Sequence, residues 1–408
     1  MDLFCRSVVS GIAEKEEIIF PKYEVLPGSE PGDGYLGTHK IVKICGANKC
    51  LELFVKFIPD DVRFKSEDLG VKAFHNECLF YETIYPILLE FQRNKDCKIL
   101  FQSVPRCYKV INLEFNKTII LENILATGYR SFNSKSIMNR GHIEIVLEEL
   151  GRFHATCFAL KDQKMWIYQD IIRNISHPLS EFKYTPDFKR LFDYLVVAAR
   201  KSLDPTEDRE ILIVFDKFAD KILPFLKLVD SLGTNKYSVI NHTDGWCNNF
   251  MFKYDDSMNQ AKPTNVSILD WQMMMVSLPV IDISYFFYSS GDKTDLDDLQ
   301  HYLNHYHQCL SVHIEALGSS PEMLYPHAKF CEHWKKYCRY GLIFALLVIK
   351  NMLTEKEEVI FKKEAATESE SSCDMFMFPI KNDKLYKTRI RNIIIHFVKN
   401  GFLDEFII

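Results

Sequence analysis

The stretch Val239-Ile-Asn-His-Thr-Asp-Gly-Trp-Cys-Asn-Asn-Phe-Met-Phe-Lys-Tyr254 sets His242, Asp244 and Asn249 in the spacing His-x-Asp-x-x-x-x-Asn, ahead of a strand-forming apolar tail. Sixteen residues after Tyr254, Asp270 closes the β-branched run Val266-Ser-Ile-Leu269. If 250–254 and 266–269 pair as an antiparallel hairpin, the start of one strand lies beside the end of the other, and Asn249 and Asp270 become neighbours. Two oxygen ligands on adjacent strand ends suit magnesium, which takes few protein ligands. Asp244, in the loop just before them, can orient an attacking hydroxyl and accept its proton. His242 stands beside that base as the second candidate catalytic residue, better suited to bracing the loop by hydrogen bonds than to touching substrate. Asp and Asn also favour ordinary turns. The carboxylate at a second strand end and the upstream residues below favour chemistry.

The same spacing marks the catalytic loop of protein kinases and their small-molecule relatives, which place a lysine on the nucleotide phosphates through a glutamate partner. Lys56 lies in the apolar run Leu51-Glu-Leu-Phe-Val-Lys-Phe-Ile58, and Glu77 lies on the apolar face of a helix marked by Val71, Phe74, Cys78, Tyr81 and Tyr85. Neither charge should be buried alone, so an ion pair between them resolves both. The segment Leu121-Glu-Asn-Ile124 follows the last strand of this region, where Glu122 and Asn123 could offer backbone groups to an adenine ring. Gly32 and Gly34 could cover phosphates or form a plain turn.

Outward from these residues, the 408-residue chain has room for two lobes, and 47% hydrophobic residues supply a core. A formal net charge of -5 gives no basic footprint for nucleic acid. The first residues do not read as a signal peptide. The most apolar run, Gly341 to Lys350, is too short to span a membrane and reads as a buried helix. Twelve scattered cysteines without an export signal read as reduced thiols in a cytoplasmic protein. Residues 20 to about 125 read as strands and turns around one helix ending near Pro86. From about 140 the pattern turns helical, apart from a strand-rich island at 238–270, and ends in an amphipathic stretch from Ile390 to Phe402. Residues 355–373 read as a charged surface loop. The expected fold is α+β and bilobal: a small β-rich nucleotide-binding lobe over 1–125, then a large helical catalytic and substrate-binding lobe over 126–408.

Together these residues resemble the ecdysteroid kinase-like family, also described as CHK kinase-like proteins, which shares a protein-kinase-like fold with choline kinases and aminoglycoside phosphotransferases. The family's His-Gly-Asp-x-Trp-x-Asn-Asn corresponds to His242 through Asn249, its Asp-Phe-Gln to Asp270-Trp-Gln272, and its Leu-Glu-Asp hinge to Leu121-Glu-Asn123. Its Phe-x-x-Glu-x-x-x-Tyr corresponds to Phe74 through Tyr81, its Phe-His-Ala to Phe153-His-Ala155, and its Pro-x-x-Asp-x-x-Tyr to Pro279 through Tyr285. The resemblance implies transfer of the γ-phosphoryl group of ATP, with Mg2+, to a hydroxyl of a small lipophilic alcohol such as an ecdysteroid or xenobiotic. Four positions depart from the pattern: Thr243 replaces glycine, Gly245 a bulkier apolar residue, Trp271 phenylalanine, and Asn123 the hinge aspartate.

The alternative from another class is a nucleotide-binding pseudokinase acting as a scaffold or ligand-binding protein, against which the retained Lys56, Asp244, Asn249 and Asp270 argue. His301, His305, His307 and Cys309 cluster in one segment, but further zinc ligands would have to come from other faces, so a polar helix surface is the better reading. His154 reads as a core histidine bonded to a loop carbonyl. A neutral, apolar acceptor follows from the run after Asp270, which has no carboxylate until Asp282. Acids from Asp292 to Asp298 could overturn that if folding returned them to the cleft.

Overall fold

The computed structural model describes residues 3–28, 38–58, 69–95, 97–113, 116–255, 261–358 and 373–404. Strands β1 (Lys22–Pro27), β2 (Thr38–Cys45), β3 (Cys50–Phe57), β4 (Cys107–Leu113) and β5 (Asn116–Glu122) form one antiparallel sheet in the order β1-β2-β3-β5-β4. Alternation along β3 sends Leu53 and Val55 to one face and Lys56 to the other. On the first face, helix α1 (Leu3–Lys15) packs Val9, Ile12 and Ala13 against Val42, Ile44, Leu53, Val55 and Ile120. Lys56 therefore stands on a central strand, on the face turned to helix α2 (Leu69–Leu79).

The helix does not stop at Pro86. It runs through a π-helical turn, Phe80–Ile84, into α3 (Tyr85–Arg93). Proline removes an N–H donor and crowds the preceding turn, and the wider π turn absorbs both defects. The turn also sets Phe80 flat against Trp271, ring centroids 3.8 Å apart at 7°.

The remainder is helical around small strand pairs. Strand β6 (Arg130–Ser131) and β9 (Asn265–Ile268) flank β8 (Phe250–Lys253), while β7 (Val239–Asn241) pairs with β10 (Met275–Ser277). The expected hairpin forms, with Phe250 opposite Ile268. Helix α4 (Arg140–Gln163) lies along the helix Leu299–Ala316. The helix Val280–Ser290 is buried throughout and crosses Arg339–Leu353, where Gly341 permits contact: an added Cβ would come within 2.2 Å of the Ser284 carbonyl oxygen. The apolar run at Gly341 is thus a core helix, and among the described residues no helix is long and apolar enough to cross a membrane.

Two expectations need amendment. Cys45 and Cys50 face each other across the β2–β3 turn and form a disulfide, so the reading of all cysteines as reduced thiols does not hold there. Their five-residue spacing carries no signal until the hairpin closes. The amphipathic C-terminal stretch begins earlier than its apolar pattern, as the helix Asp383–Lys399. The glycines Gly32 and Gly34, and residues 359–372 of the charged loop, lie outside the described residues.

Candidate active site

Lys56 Nζ lies 2.7 Å from Glu77 Oε2 and 3.1 Å from Asp270 Oδ1, so the expected pair is present and extends to the aspartate. Burial works against the lysine's charge, but the Asp270 and Glu77 carboxylates outweigh it and raise its pKa. Glu77 is pushed up to about 7 by burial against the pull of Lys56, with Asp270 adding repulsion. Two carboxylates thus share one cation. Gln272 completes the group when its amide is turned to satisfy both atoms, nitrogen 2.9 Å from Asp270 Oδ1 and oxygen 3.3 Å from Lys56 Nζ.

Beside Glu77, the fully buried Asn76 ties α2 to the opposite lobe. Its amide nitrogen donates to the carbonyls of Ser176 (3.0 Å), Gln272 (3.1 Å) and Met274 (3.3 Å), and its oxygen accepts from Ser176 N at 2.9 Å. The helix that carries Glu77 is therefore fixed directly to the segment that carries Asp270.

The catalytic-loop segment is held from beneath by Asp282. One of its oxygens accepts from His242 N at 2.7 Å and the other from Thr243 N at 2.6 Å. His154 Nε2 sits 3.1 Å from Asp282, and His154 Nδ1 lies 2.9 Å from Tyr306 Oη. His154 is a core histidine as expected, but its partners are a carboxylate and a phenol rather than a loop carbonyl. Both ring nitrogens of His242 meet backbone atoms: Nε2 lies 2.8 Å from Leu269 O, just past β9, and Nδ1 accepts from Asp244 N at 3.2 Å. These contacts tie the loop to the segment that carries Asp270.

Asp244 Oδ1 accepts from Tyr285 Oη at 2.9 Å, and Oδ2 accepts from Asn249 Nδ2, also at 2.9 Å. Burial and the nearby Asp270 carboxylate push Asp244 up to about 6, while His242, Tyr285 and Asn249 oppose the rise. A carboxylate in that range is charged at neutral pH yet basic enough to take a hydroxyl proton as bonding changes. Leu269 N donates to Asn249 O at 2.9 Å, so the hairpin brings the Asn249 and Asp270 backbones together as the sequence spacing implies. With its nitrogen committed to Asp244, Asn249 has its amide oxygen left to face a cation. The Asn249 oxygen and Asp270 carboxylate fit the donor set magnesium prefers.

The four departures differ in weight. Thr243 has φ 59°, a left-handed conformation unfavourable for a β-branched residue. Gly245 needs no glycine, since an added Cβ would meet Phe286 Cβ at 3.5 Å, ordinary contact. Trp271 is buried with its Nε1 unpartnered, an N–H that phenylalanine would not bring. Asn123 donates to Glu52 Oε2 at 2.9 Å, where an aspartate would face a like charge.

The hinge is narrower than the sequence suggests. Glu122 N is bonded to Arg106 O (2.8 Å) and Asn123 N to Glu52 O (3.0 Å), so these two donors are not open to a purine. Three functional contacts escaped the sequence reading: Tyr285 on the base, Asn76 between the lobes, and the double grip of Asp282. The spacing of Asp282 and Tyr285, three apart on one apolar helix, is the signal that could have revealed that both face the loop.

Among solved structures, Plasmodium vivax ethanolamine kinase is 12% identical with a TM-score of 0.43, covering 98% of this chain and 90% of its own. The GDP complex of wild-type aminoglycoside 2'-phosphotransferase-IIIa is 12% identical with a TM-score of 0.40, covering 94% of this chain and 98% of its own. No curated protein matches the sequence. The family model for the ecdysteroid kinase-like family matches residues 31–319, a span that holds Lys56, Glu77, the catalytic loop, Asp270 and Asp282. On that match, covering most of its length, the chain belongs to the ecdysteroid kinase-like family.

Proposed function

We propose that this chain is an ATP- and magnesium-dependent phosphotransferase acting on the hydroxyl of a neutral, largely apolar small molecule, a steroid or similar lipophilic alcohol. The observation that carries the reading is that Asp244, a carboxylate with a raised pKa that accepts from Tyr285 and Asn249, lies close to the Lys56–Glu77–Asp270 group. In this reading residues 1–125 hold the nucleotide and 126–408 carry the base and the acceptor site. Magnesium, when bound, would neutralise charge building on the transferred phosphoryl group. Asn249 and Asp270 would hold it, and Lys56 would neutralise phosphate charge. Asp244, oriented by Tyr285 and Asn249, takes the proton of the acceptor hydroxyl as its oxygen bonds the γ-phosphorus of ATP, the bond to the bridging oxygen breaks and ADP leaves.

The side chains packed around the base are aromatic and buried in the core, which favours a neutral acceptor over a cation. Tyr285 packs with Phe344 (5.6 Å between ring centroids) and Tyr340 (6.2 Å), and Phe192 extends the row at 6.2 Å from Phe344. The acids that could have favoured a cation are spent elsewhere. Asp292 caps the short helix Lys293–Asp297, Asp295 accepts from Tyr302, Asp297 pairs with Lys293, and Asp298 pairs with Arg140. Asp230, which adds to the raised pKa of the Tyr340 phenol, is paired with Lys183.

Labelled ATP and magnesium incubated with a panel of alcohols tests the proposal. Transfer to a steroid or comparable alcohol should show higher kcat/KM than transfer to choline or a polycationic sugar. A clear preference for a cationic acceptor would overturn the acceptor class. Tight ATP binding with no transfer to any alcohol would favour the pseudokinase.

A further inference from the structure

Away from the Lys56 and Asp244 residues, the histidine-rich helix Leu299–Ala316 acquires the ligand its own sequence lacked. His301 Nε2 is 2.7 Å from Glu144 Oε1, and His307 Nε2 is 2.8 Å from Tyr325 O, so those two rings are committed. His305 and Cys309, one turn apart, face α4, where Glu148 meets them. His305 Nε2 lies 3.3 Å from Glu148 Oε1, and one ligand atom from each of the three residues falls within 4.8 Å of the others.

The His305–Glu148 distance is that between two ligands of a tetrahedral zinc ion, and the thiol lies near enough to join them. Bonds of roughly 2.0–2.1 Å to nitrogen and oxygen at the tetrahedral angle hold those two atoms about 3.3 Å apart, and a sulfur at about 2.3 Å would stand about 3.6 Å away. The His305–Glu148 spacing already has the first value, and the thiol has at most about an ångström to move. A supporting bond is in place as well. Arg152 Nη2 holds the second Glu148 oxygen, Oε2, at 3.2 Å, leaving Oε1 for the ion. No hydrogen bond of good geometry satisfies His305 Nε2. A simple ion pair would account for Glu148 and His305 but not for a thiol within 4.8 Å of both.

We propose that Glu148, His305 and Cys309 bind a zinc ion, with water as the fourth ligand, fastening α4 to the helix Leu299–Ala316. The thiol proton passes to solvent as the thiolate bonds the metal. Because α4 also carries His154, which contacts Asp282, the ion would stiffen the support of the catalytic loop without touching the reaction.

Cobalt titration of the chelator-stripped chain tests this, since a thiolate–cobalt band in the near ultraviolet cannot arise from the oxygen ligands at Asn249 and Asp270. One equivalent should produce the band and zinc should bleach it. The band should vanish in Cys309→Ser, weaken about tenfold or more in affinity in His305→Ala and Glu148→Gln, and persist in Cys331→Ser, whose thiol lies 3.8 Å from His327. Zinc should raise Tm by about 3 °C in the parent and not in Glu148→Gln. No band, or a band kept in Cys309→Ser, would overturn the site. Should Cys309→Ser or His305→Ala fail to fold by circular dichroism, Glu148→Gln decides: parental cobalt affinity in that variant would also overturn it.

Discussion

Lys56 and Asp244 both bring charge close to Asp270, yet one is held by opposite charges and the other by neutral donors. Lys56 stands between two carboxylates, and their attraction keeps it protonated despite burial. Asp244 receives hydrogen bonds from a phenol and an amide, which only partly offset burial and the nearby Asp270, so its carboxyl rises to about 6. The difference teaches a division of labour. On the proposed function, the residue that would remain a fixed cation is surrounded by anions, whereas the one that would exchange a proton is given partners too weak to fix its charge.

The largest effect should come from the group common to both regions. Asp270→Asn keeps the shape but removes the negative oxygen that pairs with Lys56 and, on the proposed function, would hold magnesium. Transfer should fall by about 10³-fold or more, the scale expected when preorganised charge stabilisation is lost. Nucleotide binding with and without magnesium supplies the check. The parent should bind ATP more tightly with the metal, and a variant that gains as much would show that Asp270 is not a ligand.

Asp244→Asn should separate the two regions. ATP–magnesium binding should persist, because the Lys56 group is intact, while turnover falls about 10²-fold or more. In the parent, kcat/KM should rise as pH passes upward through about 6, since the deprotonated carboxylate is the base. The variant's residual rate should lack that limb. Stability should move the other way: a carboxyl whose folded pKa is raised stabilises the fold at low pH and loses that contribution as pH rises through about 6. Urea unfolding should therefore show the variant gaining on the parent between pH 4 and pH 7.5. Near-normal turnover would remove Asp244 from the catalytic role.

Tyr285→Phe probes the neutral donors themselves. Deleting the hydroxyl removes one stabilising bond to the charged carboxylate, so the acid limb should move to higher pH by about half a unit to one unit. Turnover near neutrality should drop only about three- to tenfold. An unmoved limb would mean that Tyr285 positions Asp244 without setting its proton affinity.

Much of this site could be read from the chain because its logic is local. His242, Asp244 and Asn249 sit within eight residues, and the β8–β9 hairpin that brings Asp270 to Asn249 follows from two apolar runs. Lys56 and Glu77 were found because a buried charge needs a partner. What stayed hidden depends on contacts between distant segments. Asn76 looks like any polar helix residue until Ser176, Gln272 and Met274 surround it, and Glu148 is an unremarked glutamate until the helix Leu299–Ala316 lies against α4. The helix ran past Pro86 for a related reason, since the π turn that admits the proline stacks Phe80 on Trp271, nearly two hundred residues away in sequence.

The smallest effect sharpens the comparison most, because it concerns how the loop pays its own conformational cost. Thr243 holds φ 59° where the family pattern has glycine, a strain of about 1–2 kcal/mol for an L-residue. Two bonds oppose that strain: its N–H donates to Asp282 at 2.6 Å, and its hydroxyl donates to the Met273 carbonyl. Thr243→Gly relieves the strain but loses the hydroxyl bond, worth about 1 kcal/mol, and adds about 0.5–1 kcal/mol of backbone entropy to the unfolded chain. These terms nearly cancel, so stability should remain within about 1 kcal/mol of the parent and turnover close to it. Thr243→Val keeps the strained, branched Cβ and strips the Met273 carbonyl of its donor, so it should destabilise by about 1–3 kcal/mol. Urea unfolding of the two variants reads the difference directly. If valine is neutral, the hydroxyl is idle and Asp282 alone holds the turn. If glycine is the costlier substitution, the Met273 contact outweighs the strain, and the threonine is a local reinforcement of the loop that carries the base.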